Sequence, residues 1–158
     1  MVVVSNSSPI IHLAKIGKLE LLEALYGQVL IPSEVYSECT YTSFYQKEIY
    51  YISNAPWISI VQIENTKLFK LLYPEIDAGE AEALVLSLEV NADLVILDDM
   101  EARIKARTLE LTVTGTLGVL LKAQKLGLLN SLEDEIKKLE KNSFRMSLDL
   151  KNRLLRQI

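Results

Sequence analysis

The chain has 158 residues, with 17 Lys and Arg against 21 Asp and Glu and a formal net charge of −4. Its apolar content of 49% and charged content of 24% are typical of a globular domain that buries its own core. Cys39 and His12 are each alone of their type, which excludes a disulfide framework and a zinc site built from cysteine and histidine. No apolar run approaches the ~20 residues of a membrane helix, and the N-terminus does not resemble a signal peptide. We therefore expect one cytoplasmic domain, residues 1–158.

The first half of the chain alternates short apolar runs with helical patterns. The predicted elements are a strand at Val2–Val4, helices at Ile10–Ile16 and Leu19–Leu25, a strand at Val29–Ile31 and a helix that begins at Pro32. Ser8 followed by Pro9 predicts the N-cap and the first residue of the first helix. Thr40–Trp57 is the least regular and most aromatic stretch. Ile58–Ile63 alternates apolar and polar residues, which indicates an edge strand, and a helix over Lys67–Tyr73 follows.

The second half has clearer patterns. The predicted elements are helices at Glu80–Val90, Met100–Leu109 and Val119–Leu126, strands at Leu94–Leu97 and Leu111–Val113, and two amphipathic helices from Ser131 onward, on either side of residues 142–147. The apolar run Leu94–Leu97 is typical of a strand covered on both faces. Strands that alternate with helices in this way predict an α/β three-layer sandwich with a central, mostly parallel sheet.

Polar side chains follow the predicted strands at the points where they end. In an open parallel sheet, functional groups gather beyond the carboxyl ends of the strands. Converging acids repel one another at low dielectric, and a divalent cation with a preference for hard oxygen ligands, such as Mg²⁺ or Mn²⁺, would stabilise them. The candidates at this edge, or on helices that start near it, are Asn6, Glu38, Glu80, Asp98, Asp99 and Thr116.

Each of these acids also has an ordinary structural explanation. Asp77-x-x-Glu80 and Asp98-x-x-Glu101 both match the capping box, and Asp99 is a natural N-cap. Glu38 taken alone is typical of a solvated helix position. Only their joint placement favours a functional site. Glu82 lies two residues from Glu80, on a different part of the helix surface, and is a weaker, supporting candidate.

The order and spacing of several short motifs resemble the PIN-domain (PilT N-terminus) family, the nuclease fold of VapC-type toxins. The motifs are Val2-Val3-Val4-Ser5-Asn6-Ser7-Ser8-Pro9-Ile10-Ile11, Ile31-Pro32-x-x-Val35-x-x-Glu38, Gly79-Glu80-Ala81-Glu82-Ala83-Leu84, Leu94-Val95-Ile96-Leu97-Asp98-Asp99 with Ala102-Arg103, and Gly115-Thr116-Leu117-Gly118-Val119-Leu120-Leu121. The segment Phe144-Arg145-Met146-Ser147 resembles the end of one prokaryotic branch of that family.

The resemblance implies a Mg²⁺- or Mn²⁺-dependent ribonuclease, the toxin of a type II toxin–antitoxin pair, with RNA as substrate, a small antitoxin as partner and a homodimeric state. It places metal ligands at Asn6, Glu38, Glu80 and Asp99, catalytic carboxylates at Glu38, Glu80, Asp98 and Asp99, and a hydroxyl near the metal at Thr116. A metal-activated water would attack the phosphodiester in line, with Asp98 orienting or deprotonating that water.

One of these positions departs from the family pattern. Asn6 stands where the family has its first Asp, and an amide oxygen binds a cation without contributing a negative charge. Two interpretations follow. The site works with its remaining acids, or the chain is a catalytically weakened PIN-like module that binds RNA or a protein.

The basic residues are concentrated toward the C-terminus. Residues 136–158 hold seven Lys or Arg and two acids, which predicts either phosphate contacts or a solvated helix face. Arg103, Arg107 and Arg145 are the candidate RNA ligands, although surface ion pairs would explain them equally well.

Three further features have open interpretations. The aromatic residues of 41–57 suit base stacking or, more commonly, packing and subunit contacts. His12 is expected on a helix near the candidate site, with no partner evident in the sequence. Cys39 is predicted to be a small, buried core residue.

Overall fold

Five parallel strands form one sheet in the computed structural model, which describes residues 1–41 and 46–157. The strands are β1 (Val3–Ser5), β2 (Val29–Pro32), β3 (Ile58–Val61), β4 (Leu94–Ile96) and β5 (Val113–Thr114). Their order across the sheet is β3-β2-β1-β4-β5, and each neighbouring pair is parallel. The predicted edge position of β3 is confirmed. The strand order reverses on either side of β1, which makes its carboxyl end the switch point where ligands bind in such sheets.

Helices cover both faces of this sheet and complete the three layers. They are α1 (Ser7–Lys15), α2 (Leu21–Tyr26), α3 (Ser33–Tyr41), α4 (Gln46–Ser53), α5 (Thr66–Leu72), α6 (Ala78–Glu89), α7 (Met100–Thr108), α8 (Thr116–Lys125), α9 (Leu132–Lys141) and α10 (Leu148–Leu155). The predicted α/β sandwich is therefore confirmed, with a sheet that is parallel throughout the described residues.

The hydrophobic core has two parts, one on each face of the sheet, and side chains of the central strand β1 contribute alternately to them. Val3 packs with side chains of α1, α2, α8 and α9, whereas Val4 packs with those of α6 and α7. Successive side chains of a strand point to opposite faces of the sheet, so two adjacent residues are enough to contribute to both parts of the core. Both valines are completely buried.

Helix α6 is buried on a wider surface than its sequence predicts. Of the predicted apolar face Ala81, Leu84, Val85 and Leu88, the first three are fully buried and Leu88 is partly buried. Ala83 and Leu86, on other sides of the helix, are fully buried as well. The reason is its central position, because α6 packs against β1, β2 and β4 of the sheet and also against α3, α5 and α7. A helix in that position carries the side chains of its first turn to the edge of the sheet with little freedom to move.

Several element boundaries differ from the sequence predictions. Helix α1 begins at Ser7, so the prediction of Ser8 as N-cap is wrong and Asn6 holds that position. Helix α8 begins at Thr116, three residues earlier than predicted, because a carboxylate from another loop binds its first N–H group. Strand β5 lies at Val113–Thr114, displaced from the predicted 111–113.

The largest error concerns the stretch predicted to be irregular. Gln46–Ser53 forms the helix α4, which turns Glu48 and Ile52 inward. Ile49 and Ile52 are its only aliphatic residues, so the apolar repeat of a helix is too sparse to recognise. No helix within residues 1–41 and 46–157 is long and apolar enough to cross a bilayer.

We expect Leu84→Ala to lower the free energy of unfolding by about 2–5 kcal/mol, because Leu84 is fully buried beneath the sheet and its truncation leaves a cavity. Urea unfolding measures the effect. Leu71→Ala is the matched control, since Leu71 is 74% exposed and its loss should change stability by less than about 0.5 kcal/mol. Equal effects of the two substitutions would contradict the assignment of α6 to the core.

Candidate functional site

The acidic side chains of the sequence analysis come together at the carboxyl edge of the sheet. Helices and loops that follow β1, β2 and β4 deliver most of them directly, and the first turn of α6 brings in two more. We call this group the acidic rim. Its members are Asn6, Glu38, Asp77, Glu80, Asp98 and Asp99.

Asn6 lies at the switch point of the sheet and is only 3% exposed. Its backbone N–H donates to the Ile96 carbonyl at 3.0 Å, which continues the pairing of β1 with β4. Its side chain does not cap α1, and Oδ1 is buried without a hydrogen-bond partner in the part of the chain that the structure describes. A buried acceptor left unsatisfied costs about 1–3 kcal/mol, so this oxygen is suited to accept a ligand.

Glu38 projects from α3 to the place where α1 and α6 begin. Ser7 Oγ donates a hydrogen bond to Glu38 Oε2 at 3.2 Å. Gly79, in the first turn of α6, faces the same carboxylate so closely that a Cβ at this position would overlap Oε1. The missing side chain of Gly79 therefore lets Glu38 rest against the positive end of α6.

Glu80 forms the predicted capping box with Asp77. The Glu80 N–H donates to Asp77 Oδ1 at 2.8 Å, and the Asp77 N–H donates to Glu80 Oε1 at 3.0 Å. Glu80 is 6% exposed and forms no ion pair with a Lys or Arg among the described residues. Capping thus engages one oxygen of Glu80 and leaves the other for another ligand.

The two glutamates hold their protons unusually tightly. Burial and, to a smaller extent, the negative charge of Asp77 together raise the pKa of Glu38 to about 7. The pKa of Glu80 is also raised to about 7, chiefly by burial and then by the charges of Asp77 and Asp99, against the backbone hydrogen bond from Asp77. Asp77 therefore interacts with both glutamates, and Asp99 with one of them, as expected for a group of acids drawn together.

Asp98 is bound on both of its oxygens. Thr116 donates its N–H to Oδ1 and its hydroxyl to Oδ2, each at 2.7 Å. A Cβ on Gly115 would lie 2.8 Å from Asp98 Oδ1 and 2.6 Å from Arg103 Nη1, so this glycine permits the close packing. Asp98 therefore ties the end of β4 to the start of α8, and the Thr116 hydroxyl is engaged in that link.

Asp99 is the N-cap of α7, and its Oδ2 accepts a hydrogen bond from the Ala102 N–H at 3.0 Å. The predicted capping box Asp98-x-x-Glu101 is wrong, because α7 begins at Met100 and the cap is one residue later than that pattern requires. Oδ1 of Asp99 has no hydrogen-bond partner within the described ranges. Asp99 is also exposed, as is Asp77, so both are accessible from solvent.

Glu82 supports the rim indirectly. It accepts a hydrogen bond from the Glu34 N–H at 3.2 Å, at the start of the helix that carries Glu38. His12 packs edge-on against Phe144, with ring centroids 4.8 Å apart. Burial lowers the pKa of His12 and the charge of Asp98 opposes that shift, so the histidine lies near the rim, as predicted.

The sequence analysis did not assign Asp77, Ser7 or Gly79 to a site. Asp77 was recognised as a helix cap, and nothing in its spacing from Glu38 reveals that α3 and α6 meet there. The available signal was weak: a glycine inside the first turn of a strong helix is unfavourable and often marks a close approach.

The donors of the rim fit a hard divalent cation, although they do not form a complete cage. Within the described residues, no three Asp, Glu, His or Cys side chains form a group that could hold a metal ion by themselves. Mg²⁺ commonly keeps several waters and takes only one or two carboxylates. The buried, unsatisfied amide oxygen of Asn6, which precedes the Ser7 that binds Glu38, and the second oxygen of Glu80 suit such an ion.

The C-terminal segment uses much of its charge locally. Ion pairs join Lys137 to Glu133, Lys138 to Glu135, Lys151 to Glu140 and Arg153 to Asp149. These pairs favour the solvated-helix interpretation for most of the segment. Arg145 has no carboxylate partner in the described part of the chain.

The aromatic stretch divides into exposed and buried parts. Phe44 and Tyr45 lie outside the described residues. Tyr50 and Tyr51 are exposed on α4, whereas Trp57 packs partly against the core. Cys39 is fully buried, as predicted, and burial raises the pKa of its thiol to about 12, so it is inert at neutral pH.

Comparison with known families identifies one match. The family model DUF3368, described as a PIN domain, matches residues 2–158. The comparison with curated proteins finds no significant match.

In the metal-free protein, we expect the free energy of unfolding to fall as the pH rises from about 5 to about 8. Folded Glu38 and Glu80 keep their protons up to a pKa of about 7, whereas unfolded glutamates lose them near ~4.3. The folded state therefore binds more protons in this window, and the stability that these protons contribute is lost as the pH rises, by a few kcal/mol for the two groups together.

Urea unfolding at several pH values measures this slope. The double variant Glu38→Gln/Glu80→Gln removes both titrations and should flatten it, whereas Glu64→Gln, at an exposed position, should leave it unchanged. The difference between the native protein and the double variant isolates the two groups from His12, whose lowered pKa has the opposite effect. A slope that the double variant retains would contradict the pKa assignment.

We expect Gly79→Ala to displace the Glu38 carboxylate while the fold survives. Alanine is the better helix former, so stability should change by less than about 1 kcal/mol, but its Cβ would occupy the position of Glu38 Oε1. Titration calorimetry should show Mn²⁺ affinity reduced by about tenfold or more. Ala78→Gly, at the neighbouring position, adds no atom near Glu38 and serves as control; full Mn²⁺ affinity in Gly79→Ala would exclude Glu38 from cation binding.

Proposed function

Since the chain belongs to the PIN-domain family, whose members are nucleases in general, we propose that it is a Mg²⁺- or Mn²⁺-dependent endoribonuclease that acts at the acidic rim. The observation that carries this proposal is that Glu38 and Glu80 each lie in a poorly solvated place, close to the charge of Asp77 and, for Glu80, also to that of Asp99. Uncompensated acids in such a place are costly, and a divalent cation offsets that cost.

In this proposal Asn6, Glu38, Glu80 and Asp99 hold the metal. The bound ion would polarise the phosphodiester and activate a water for in-line attack. Asn6 supplies its unsatisfied amide oxygen, and Glu80 supplies the oxygen that the capping box leaves unused. Asp99 presents its exposed carboxylate toward solvent and substrate.

Asp98 receives a different role from the water-activating one considered from sequence. Both of its oxygens accept hydrogen bonds from Thr116, so its capacity to take a proton from water is reduced. We assign it as a positioning residue that fixes Asp99 by anchoring the end of β4.

Family membership also supports a cellular role. We propose that the protein is the toxin of a toxin–antitoxin pair, a homodimer in the cytoplasm that a small antitoxin protein inhibits. The exposed tyrosines Tyr50 and Tyr51, whose ring centroids lie 5.9 Å apart on α4, offer a contact surface for a protein partner.

Asn6 favours a second candidate function. An amide in place of a carboxylate removes one negative charge from the rim, which weakens attraction for a divalent ion. A PIN-like module that binds RNA or protein without cutting would tolerate that loss. Calorimetry with Mn²⁺ separates the two, because only the nuclease requires binding that Asp99→Asn abolishes.

We expect Asp99→Asn to reduce metal-dependent cleavage of pooled RNA by more than about 100-fold, since changes to outer partners of a metal site alone cost 10–100-fold. Asn6→Asp should raise Mn²⁺ affinity by about tenfold through its added charge. Cleavage is measured with Mn²⁺ and with EDTA. Glu101→Gln, which removes an exposed carboxylate from the first turn of the same helix, controls for the loss of one negative charge. Activity unchanged in Asp99→Asn would remove that residue from the mechanism.

A further inference from the structure

A cavity of about 650 Å³ opens beside the acidic rim. Helix α7, the turn from β5 to α8 and the C-terminal residues 144–154 form its walls. Its volume lies within the ~300–1,000 Å³ of ordinary ligand sites. Asp98 is the rim residue that lines it, so a molecule bound in the cavity reaches the edge of the proposed active site.

Arginine side chains from three elements line this cavity. Arg103 and Arg107 come from α7, Arg145 from the segment before α10, and Arg153 from α10. Arg103 Nη1 donates to the Leu97 carbonyl at 3.1 Å, which fixes it at the edge of the rim.

Two of these arginines are available to a ligand. Arg107 and Arg145 are exposed, and neither pairs with a carboxylate anywhere in the described residues. Burial is the largest cause of the lowered pKa of Arg103, and the positive charge of Arg107 is the second. The two guanidinium groups therefore repel one another. An anion between them would relieve this repulsion, and guanidinium groups suit phosphate because they donate paired hydrogen bonds.

The remaining surface of the cavity is apolar. Phe144, Met146 and Leu150 contribute to it from the C-terminal segment, opposite Leu117 of α8. The Phe144 ring is fixed by its edge contact with His12. A flat apolar surface beside cationic groups matches the two halves of a nucleotide, since a base stacks on aromatic and apolar side chains while its phosphate contacts arginine.

Asp98 does not oppose such a ligand strongly. Its two oxygens are occupied by the N–H and hydroxyl of Thr116, and Arg103 lies beside it.

A base in a duplex is stacked and paired, so it has to be unstacked before it enters a cavity of this kind. The geometry therefore favours single-stranded nucleic acid.

We propose that this cavity binds one unstacked nucleotide of single-stranded RNA next to the phosphodiester to be cut, with the base on the surface of Phe144 and Met146 and its phosphates against Arg107 and Arg145. The identification of the ligand as RNA rests on the proposed function. The cavity would thereby select the nucleotide that flanks the cleavage position.

Fluorescence anisotropy of labelled RNA hexamers in EDTA tests binding without cleavage. Arg107→Gln/Arg145→Gln should weaken binding at least tenfold, and should reduce the slope of log affinity against log salt by about 1.4, which is ~0.7 for each of two phosphate contacts. The matched control is Lys141→Gln/Arg156→Gln, which removes the same charge from the C-terminal segment outside the cavity and should change affinity by less than about twofold. Equal losses in the two double variants would overturn the proposal.

Competition experiments identify what the cavity recognises. A nucleoside monophosphate should displace the hexamer from the native protein at a concentration at least about fivefold lower than inorganic phosphate does, because the base adds its stacking contact. Equal potency would reduce the cavity to an anion site and refute nucleotide recognition. Binding of a deca-glutamate peptide that depends on Arg107 and Arg145, with no binding of RNA, would make it a protein-binding site and also refute the proposal.

The two proposals fail in different ways. Binding in EDTA that requires Arg107 and Arg145, in a protein that never cleaves RNA with Mn²⁺, supports the cavity and refutes the nuclease. If the protein cleaves RNA with Mn²⁺ but Arg107→Gln/Arg145→Gln leaves its RNA affinity unchanged, the nucleotide-binding role of the cavity is refuted and the nuclease is supported.

Discussion

The candidate site depends on the cost of holding several carboxylates where water is scarce. Backbone N–H groups at helix starts meet part of that cost. Asp77 accepts from the first turn of α6, Asp99 from that of α7, and Asp98 from that of α8. Each of these helix ends carries a partial positive charge. The contacts that cap the three helices therefore also hold the acids of the candidate cation site in place. The ordinary structural explanation of the acids and the functional one are therefore compatible.

Much of the fold could be predicted because its signals are local. The buried run Leu94–Leu97 and the strong helix after Asp77 are recognisable from neighbouring residues alone, and so is the box that Asp77 forms with Glu80. The approach of Glu38 to Gly79 is not, since it depends on how α3 and α6 pack. Helix α4 was missed because its inward-facing positions are few. All members of the rim except Asp77 were candidates from the sequence, but their partners, such as Thr116 for Asp98, required coordinates.

Opposite charges meet at the boundary of the rim and the arginine-lined cavity. The chain as a whole is acidic, yet Arg103 and Asp98 approach each other across Gly115. The proposed metal site and the proposed phosphate site thus share one turn of the backbone. An RNA strand would suit both sites, because arginine side chains bind its phosphates while a metal ion would assist cleavage of the neighbouring phosphodiester.

The contact of His12 with Phe144 joins two residues separated by most of the chain. One wall of the cavity comes from residues 144–154, so a nascent polypeptide that has not yet emerged to that length has its acidic residues but no complete pocket. Domains fold as units during synthesis, beginning at the N-terminal end. The cavity proposed to bind RNA therefore cannot form before residues 144–154 are in place, whereas every acid of the rim lies earlier in the chain.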